Sequence, residues 1–138
     1  FVILFLAMTI MQKSQILIYV ESRYKVNRKR IKSTIQRVLT ENNVTTPVEV
    51  SIAVVGDRKM KALNKKYRNL DKTTNVLSFP LSEGESSYPP SDLMRLGDVV
   101  VSYPVIIQEA SRDEVLVDEK VDELLAHGML HLLGLHHE

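Results

Sequence analysis

The sequence predicts one α+β domain, a small mixed β-sheet with helices packed on it. Two patterns carry that expectation. Short runs of branched apolar residues are separated by longer stretches whose apolar residues recur every three to four positions, the periods of strands and helices. A length of 138 residues suits one hydrophobic core, and no internal repeat divides the chain. Strands and helices in this mixed order place helices against a sheet.

The elements follow in order. Residues 16–20 (ILIYV) read as a buried strand. From Asn27 the pattern turns helical, with Ile31, Ile35, Val38 and Leu39 on one face and lysines and arginines elsewhere. Asn42-Asn43 and then Pro47 close that helix. Val48, Val50, Ile52 and Val54 alternate with Glu49, Ser51 and Ala53, the period of a half-buried strand. Gly56-Asp57 turns into a second basic helix, on which Met60, Leu63 and Tyr67 share a face. Val76, Leu77 and Phe79 form a short strand stopped by Pro80, and residues 82–95 (SEGESSYPPSDLMR) read as a loop. Residues 96–102 (LGDVVVS) are another buried strand. Pro104 opens a helix reaching Ala110, and a last helix covers residues 117–133, acidic in its first half and carrying histidines in its second.

Composition narrows the chemistry. The 44% hydrophobic and 25% charged content is that of a soluble globular protein, and a cytoplasmic location fits. With no cysteine, disulfides and thiolate metal sites are excluded, so any metal must use histidine or carboxylate. Residues 1–14 read as an N-terminal extension to a domain over 15–138. Their apolar stretch (FVILFLAMTIM) falls short of the roughly 20 residues that span a bilayer and has no positive charge before it. An upstream extension before Met8 or Met11, or an extra strand, fits better than a membrane anchor. The net charge of +1 hides an asymmetry: residues 1–72 hold 15 Lys/Arg against 5 Asp/Glu, and residues 73–138 hold 3 against 12. A basic surface attracts polyphosphate, which makes nucleic acid a candidate partner; a solvated helix face is the plainer explanation.

The end of the sequence carries the chemistry. His127 and His131 are one helical turn apart and project from the same face, where two imidazoles can hold one ion. Gly134 lies where the helix can end in a left-handed cap, turning the chain back to bring His137 to the same ion. His136 is the alternative to His137. Three imidazoles leave a fourth zinc position for water, the mark of a catalytic site, and bound water there is far easier to deprotonate. The spacing His-x3-His-x2-Gly-x2-His is shared with metzincin proteases, but their general-base glutamate is replaced by Gly128.

HGMLHLLGLHH resembles the signature HGxLHLxGYDH of the YbeY-type endoribonucleases, the rRNA maturation factors. Residues 63–80 (LNKKYRNLDKTTNVLSFP) are similar to that family's second block and residues 96–102 to its third. The resemblance implies a zinc-dependent endoribonuclease acting on single-stranded RNA, the small-subunit rRNA precursor, in 16S rRNA 3′-end maturation and ribosome quality control. Ribosomal proteins would be further partners, with no membrane and no small-molecule cofactor. By position it makes His127, His131 and His137 the ligands of one Zn2+ and Arg68 the functional arginine. The sequence departs from the family at Leu135-His136, where Tyr-Asp is usual.

Arg68 has its own physical case, since a guanidinium offers a planar fork suited to phosphate; the alternative is a surface ion pair with Asp71. Thr74, Asn75 and Ser78 are candidates for substrate contact or strand-edge hydrogen bonds. Asp98 is read as a partner of a ligand imidazole or as a turn residue, and Glu123 as a neighbour of His127 or a solvated helix residue. The mechanism expected is metal-assisted phosphodiester cleavage, with the basic helices along the RNA strand. Water attack would leave 3′-hydroxyl ends, whereas attack by the RNA 2′-hydroxyl would leave a cyclic phosphate. Two other readings stand beside it: a non-catalytic ribosome-assembly RNA-binding factor with structural zinc, and a zinc peptidase.

Overall fold

The structure, a computed structural model, describes residues 14–81 and 93–135. The expectations for residues 1–13, for most of the 82–95 loop, and for His136 and His137 lie outside the described residues.

Four strands, β1 (Gln15–Val20), β2 (Val48–Val55), β3 (Val76–Pro80) and β4 (Met94–Ser102), form one sheet in the order β1-β2-β4-β3. The first three in that order run parallel, and β3 closes one edge antiparallel to β4. The sheet is therefore mixed, as the sequence predicts.

Helices α1 (Arg28–Glu41) and α4 (Val117–Leu132) lie on one face of the sheet. Ile31, Ile35, Val38 and Leu39 of α1 meet Val50, Ile52, Val54, Val99 and Val101 of the sheet and Leu125 and Met129 of α4. Full burial of a side chain such as Ile35 or Leu125 stabilises the fold by about 1.5–3 kcal/mol. Helix α2 (Asp57–Arg68) packs on the opposite face, where Met60 joins Val55, Leu77 and Val100 in a smaller core. The two basic helices consequently sit on opposite sides of the sheet, so their charges do not share one face.

Helix α3 (Tyr103–Asp113) starts as Pro104 suggests, capped by Ser102, whose Oγ accepts from Val105 N–H at 3.4 Å. It runs three residues past Ala110 before Glu114 takes a left-handed conformation, φ 56°. At the α3–α4 junction Lys120, 2% exposed, donates to Asp113 at 2.6 Å and to Glu123 at 3.1 Å.

Two strand boundaries differ from the sequence reading. Pro80 belongs to β3 instead of ending it. Asn75 accepts from Ser102 N–H and Leu81 donates to the Leu96 carbonyl, so odd-numbered residues of this segment bond to β4. The Pro80 nitrogen therefore faces away from β4, toward an edge that no other strand among the described residues pairs with, where a missing N–H costs no ladder bond. Strand β4 begins at Met94, because Met94 N–H bonds the Pro47 carbonyl at 3.2 Å and Arg95 pairs with Glu49 at 3.1 Å.

Candidate functional site

Helix α4 delivers His127 and His131 in its last two turns. Their Nε2 atoms are 3.2 Å apart, with ring planes inclined at 64°. Two imidazole nitrogens sharing a tetrahedral zinc, each about 2.0–2.1 Å from it, stand about 3.3–3.4 Å apart, so the pair fits a common ion. Among the described residues no third His, Cys, Asp or Glu completes a metal cluster.

The helix then ends as Gly134 predicts. Gly134 has φ 78°, its N–H bonds the His131 carbonyl at 3.0 Å, and Leu135 N–H bonds the Leu130 carbonyl at 2.8 Å. These two bonds form a Schellman cap, which turns the chain back at the histidine end of the helix. A Cβ at position 134 would touch none of the described residues within 4 Å, so among them glycine serves the backbone conformation and not space.

Gly128 serves space. A Cβ there would lie 2.6 Å from Val99 Cγ1 and 3.1 Å from Ser78 Oγ. The helix docks on the sheet through this residue, and Ser78 Oγ donates to the Gly128 carbonyl at 3.1 Å. The same packing leaves no room for a glutamate after the first histidine, which adds a steric reason against a metzincin-type base.

Arg68, Thr74, Asn75 and Ser78 line one cleft of about 390 Å3 with His127 and His131. Arg68 arrives from the C-terminal end of α2, where Asn69 takes a left-handed conformation, φ 59°. It forms no ion pair among the described residues; Asp71 instead stands 3.9 Å from Lys61. The Arg68–Asp71 alternative therefore fails, and the guanidinium is exposed to solvent.

The cleft wall is held by hydrogen bonds that spacing does not reveal. Buried Asn64 donates to the Lys72 carbonyl at 2.9 Å, which fixes the turn after Arg68. Asp57 accepts from Thr73 at 3.0 Å and from Ser102 at 2.9 Å. Asn75 donates to Glu109 at 3.2 Å. Asn75 and Ser78 thus have structural partners, although both face the cleft. Their partners are 34 and 50 positions away, while Asp57 and Asn64 reach across turns to residues 16 and 8 positions away, and each bond joins different segments, which is why local sequence reasoning missed Asp57, Asn64 and Glu109. One further expectation is corrected: Asp98 is exposed on the α2 face, away from the imidazoles. Glu123 is an exposed helix residue that accepts from Lys120 and lines a hollow beside His127, which fits both readings of it.

A family profile described as endoribonuclease YbeY matches residues 17–138. The chain belongs to the YbeY endoribonuclease family. Endoribonuclease YbeY of an Anaeromyxobacter species (strain Fw109-5) is 48% identical over 90 residues, which take in 65% of this chain and 44% of that protein. The YbeY of Acinetobacter baumannii (strain ATCC 17978) is 39% identical over 114 residues, 83% of this chain and 72% of the relative. Among solved structures, the solution structure of TM1509 from Thermotoga maritima superimposes with a TM-score of 0.58 at 25% identity, covering 90% of this chain and 75% of the other.

The fold explains why the YbeY blocks are far apart in sequence. Residues 63–80 supply Arg68 and the cleft wall, and residues 127–131 supply the imidazoles. Residues 96–102 stand behind both: Val99 receives Gly128, and Ser102 holds Asp57. No helix among the described residues is long and apolar enough to cross a membrane.

Proposed function

We propose that this chain is a zinc-dependent endoribonuclease that cuts single-stranded RNA, with the small-subunit rRNA precursor as its substrate in 16S rRNA 3′-end maturation and ribosome quality control. One observation carries the reading: Arg68 faces the same cleft as two imidazoles whose Nε2 atoms are 3.2 Å apart. His127, His131 and His137 would hold one zinc ion. Zinc in such a site supplies a Lewis acid for phosphoryl oxygen and lowers the pKa of water.

The chain's own residues then have separate tasks. The Arg68 guanidinium binds the scissile phosphate and stabilises charge developing on its oxygens, and among the described residues no ion pair competes for it. The anchored segment 72–78 keeps the substrate side of the cleft rigid, so phosphate and imidazoles meet in a fixed geometry. Lysines of α2 draw the polyanion toward the Arg68 end.

Cleavage of end-labelled single-stranded RNA by zinc-loaded protein tests this, beside His131→Ala and Arg68→Ala prepared identically. The parent cuts and both folded variants fail if the reading holds; equal cutting by all three would reject it. One observation favours a second reading, an assembly factor with structural zinc: among the described residues lining the cleft there is no carboxylate to act as base. Zinc and RNA binding by the parent without turnover would select it.

A further inference from the structure

The α2 face of the sheet carries a second hollow, of about 300 Å3, lined by Ala53, Leu63, Tyr67, Phe79, Asp98 and Val100 among others. Tyr67 immediately precedes Arg68 and is 57% exposed. Its ring meets that of Phe79 edge-on, with centroids 5.0 Å apart. Lys66 Nζ stands 5.2 Å from the Tyr67 ring centroid, and apart from Ser51 and Asp98 the lining of the hollow is carbon-rich.

Asp98 is the acidic group of this hollow, and a bulge puts it there. Glu49 pairs with Arg95 but Val50 pairs with Gly97, so Leu96 is an extra residue in β4. Leu96, Val99 and Val101 all reach the main core. Strict alternation from Leu96 would have turned Asp98 into that core and Val99 out of it. Gly97 makes the bulge possible with φ 131°, and any Cβ there would collide with the Phe79 carbonyl. The backbone is thus shaped to present a carboxylate beside two aromatic rings.

The surroundings are basic. Arg58, Lys59, Lys61, Lys65, Lys66 and Arg68 are all exposed on α2, which carries one acidic residue, Asp57. Such a helix attracts a phosphate backbone, whereas the hollow itself offers a π surface and an acceptor.

We propose that this hollow receives one unpaired base of the RNA strand, adjacent to the phosphate at Arg68, with Tyr67 and Phe79 as its stacking surface and Asp98 accepting from its N–H groups. The assignment rests on the endoribonuclease reading for its substrate class. A carboxylate only accepts hydrogen bonds. It therefore suits guanine, which presents two adjacent donors on its Watson–Crick edge, and disfavours uracil, whose single N–H lies between two carbonyls.

The sequence has no tryptophan, so Tyr67→Trp creates a single indole reporter at the hollow. The zinc-loaded variant is titrated with a ten-nucleotide oligouridine and with the same strand carrying one central guanosine, each end-labelled for anisotropy. The guanosine strand should quench the indole and bind about tenfold more tightly. Asp98→Asn should abolish that preference while leaving oligouridine affinity in place. Tyr67→Phe should retain the preference and Tyr67→Ala lose it. RNA that binds by anisotropy without quenching, or a guanosine preference that survives Asp98→Asn, would overturn the proposal. Both readouts report binding alone, so a parent that binds the guanosine strand but fails to cleave it would count against the nuclease reading, whereas loss of quenching or of the guanosine preference would count against this one.

Discussion

Ser78 Oγ donates to the Gly128 carbonyl at 3.1 Å, tying the edge strand of the sheet to the helical turn between His127 and His131. The bond is short-range in space and 50 residues long in sequence. It sets the height of the two imidazoles above the strand that walls the cleft, and it exists because residue 128 has no side chain.

Gly128→Ala should therefore destabilise the protein although alanine is the better helix former. Relief of the 2.6 Å approach to Val99 requires helix and sheet to separate. Overpacking of this kind costs about 1–3 kcal/mol, against about 1 kcal/mol gained in helix propensity. Thermal unfolding and zinc titration check it: both melting temperature and zinc affinity should fall. An unchanged pair of values would refute the packing argument.

Arg68→Ala should behave in the opposite way. The side chain is exposed and without an ion pair among the described residues, so stability should change by no more than about 0.5 kcal/mol. RNA cleavage should drop by about 100- to 1,000-fold, the loss typical of one donor to developing charge. Zinc content measured on the same preparation should equal that of the parent. Arg68→Lys should recover only part of the rate, since an ammonium lacks the guanidinium fork.

The Lys120–Asp113 pair gives stability a definite pH dependence. Hydrogen bonds from Arg112 and Lys120 hold the Asp113 carboxyl well below the usual carboxylate range. The bond to Asp113 raises Lys120 above an ordinary lysine against the pull of burial. A depressed carboxylate stabilises the fold fully above its unfolded pKa of about 3.9, and the contribution fades as pH falls below that. The raised lysine contributes below about 10.4 and loses its contribution as pH rises through its folded value. Asp113→Asn should accordingly lower the melting temperature by several degrees at pH 7, with the difference from the parent shrinking below about pH 4. A gap that stays constant to pH 2 would show that the pair is not its source.

Pro80→Ala should be nearly neutral in stability, within about 0.5 kcal/mol, because the proline nitrogen points away from β4 and no ladder bond among the described residues depends on it. A large change in unfolding free energy by denaturant titration would mean that β3 is registered differently on β4.

Periodicity made the elements and the histidine pair legible before any coordinates. The three-to-four spacing of Ile31, Ile35, Val38 and Leu39 and the alternation from Val48 to Val54 each report burial of one side of a local segment. His127, His131 and Gly134 are equally local, since one helical turn and one left-handed residue settle their relationship. Only the tertiary structure decided which sides face one another. It put the two basic helices on opposite faces of the sheet, admitted Pro80 to an edge strand, and turned Asp98 away from the imidazoles through the bulge at Leu96. It also joined Asp57 to Ser102 and Asn75 to Glu109 across the fold. The physical reason is that a period along the chain records that a residue is buried or paired. The identity of its partner is set by strand register and helix docking between segments that lie far apart in sequence.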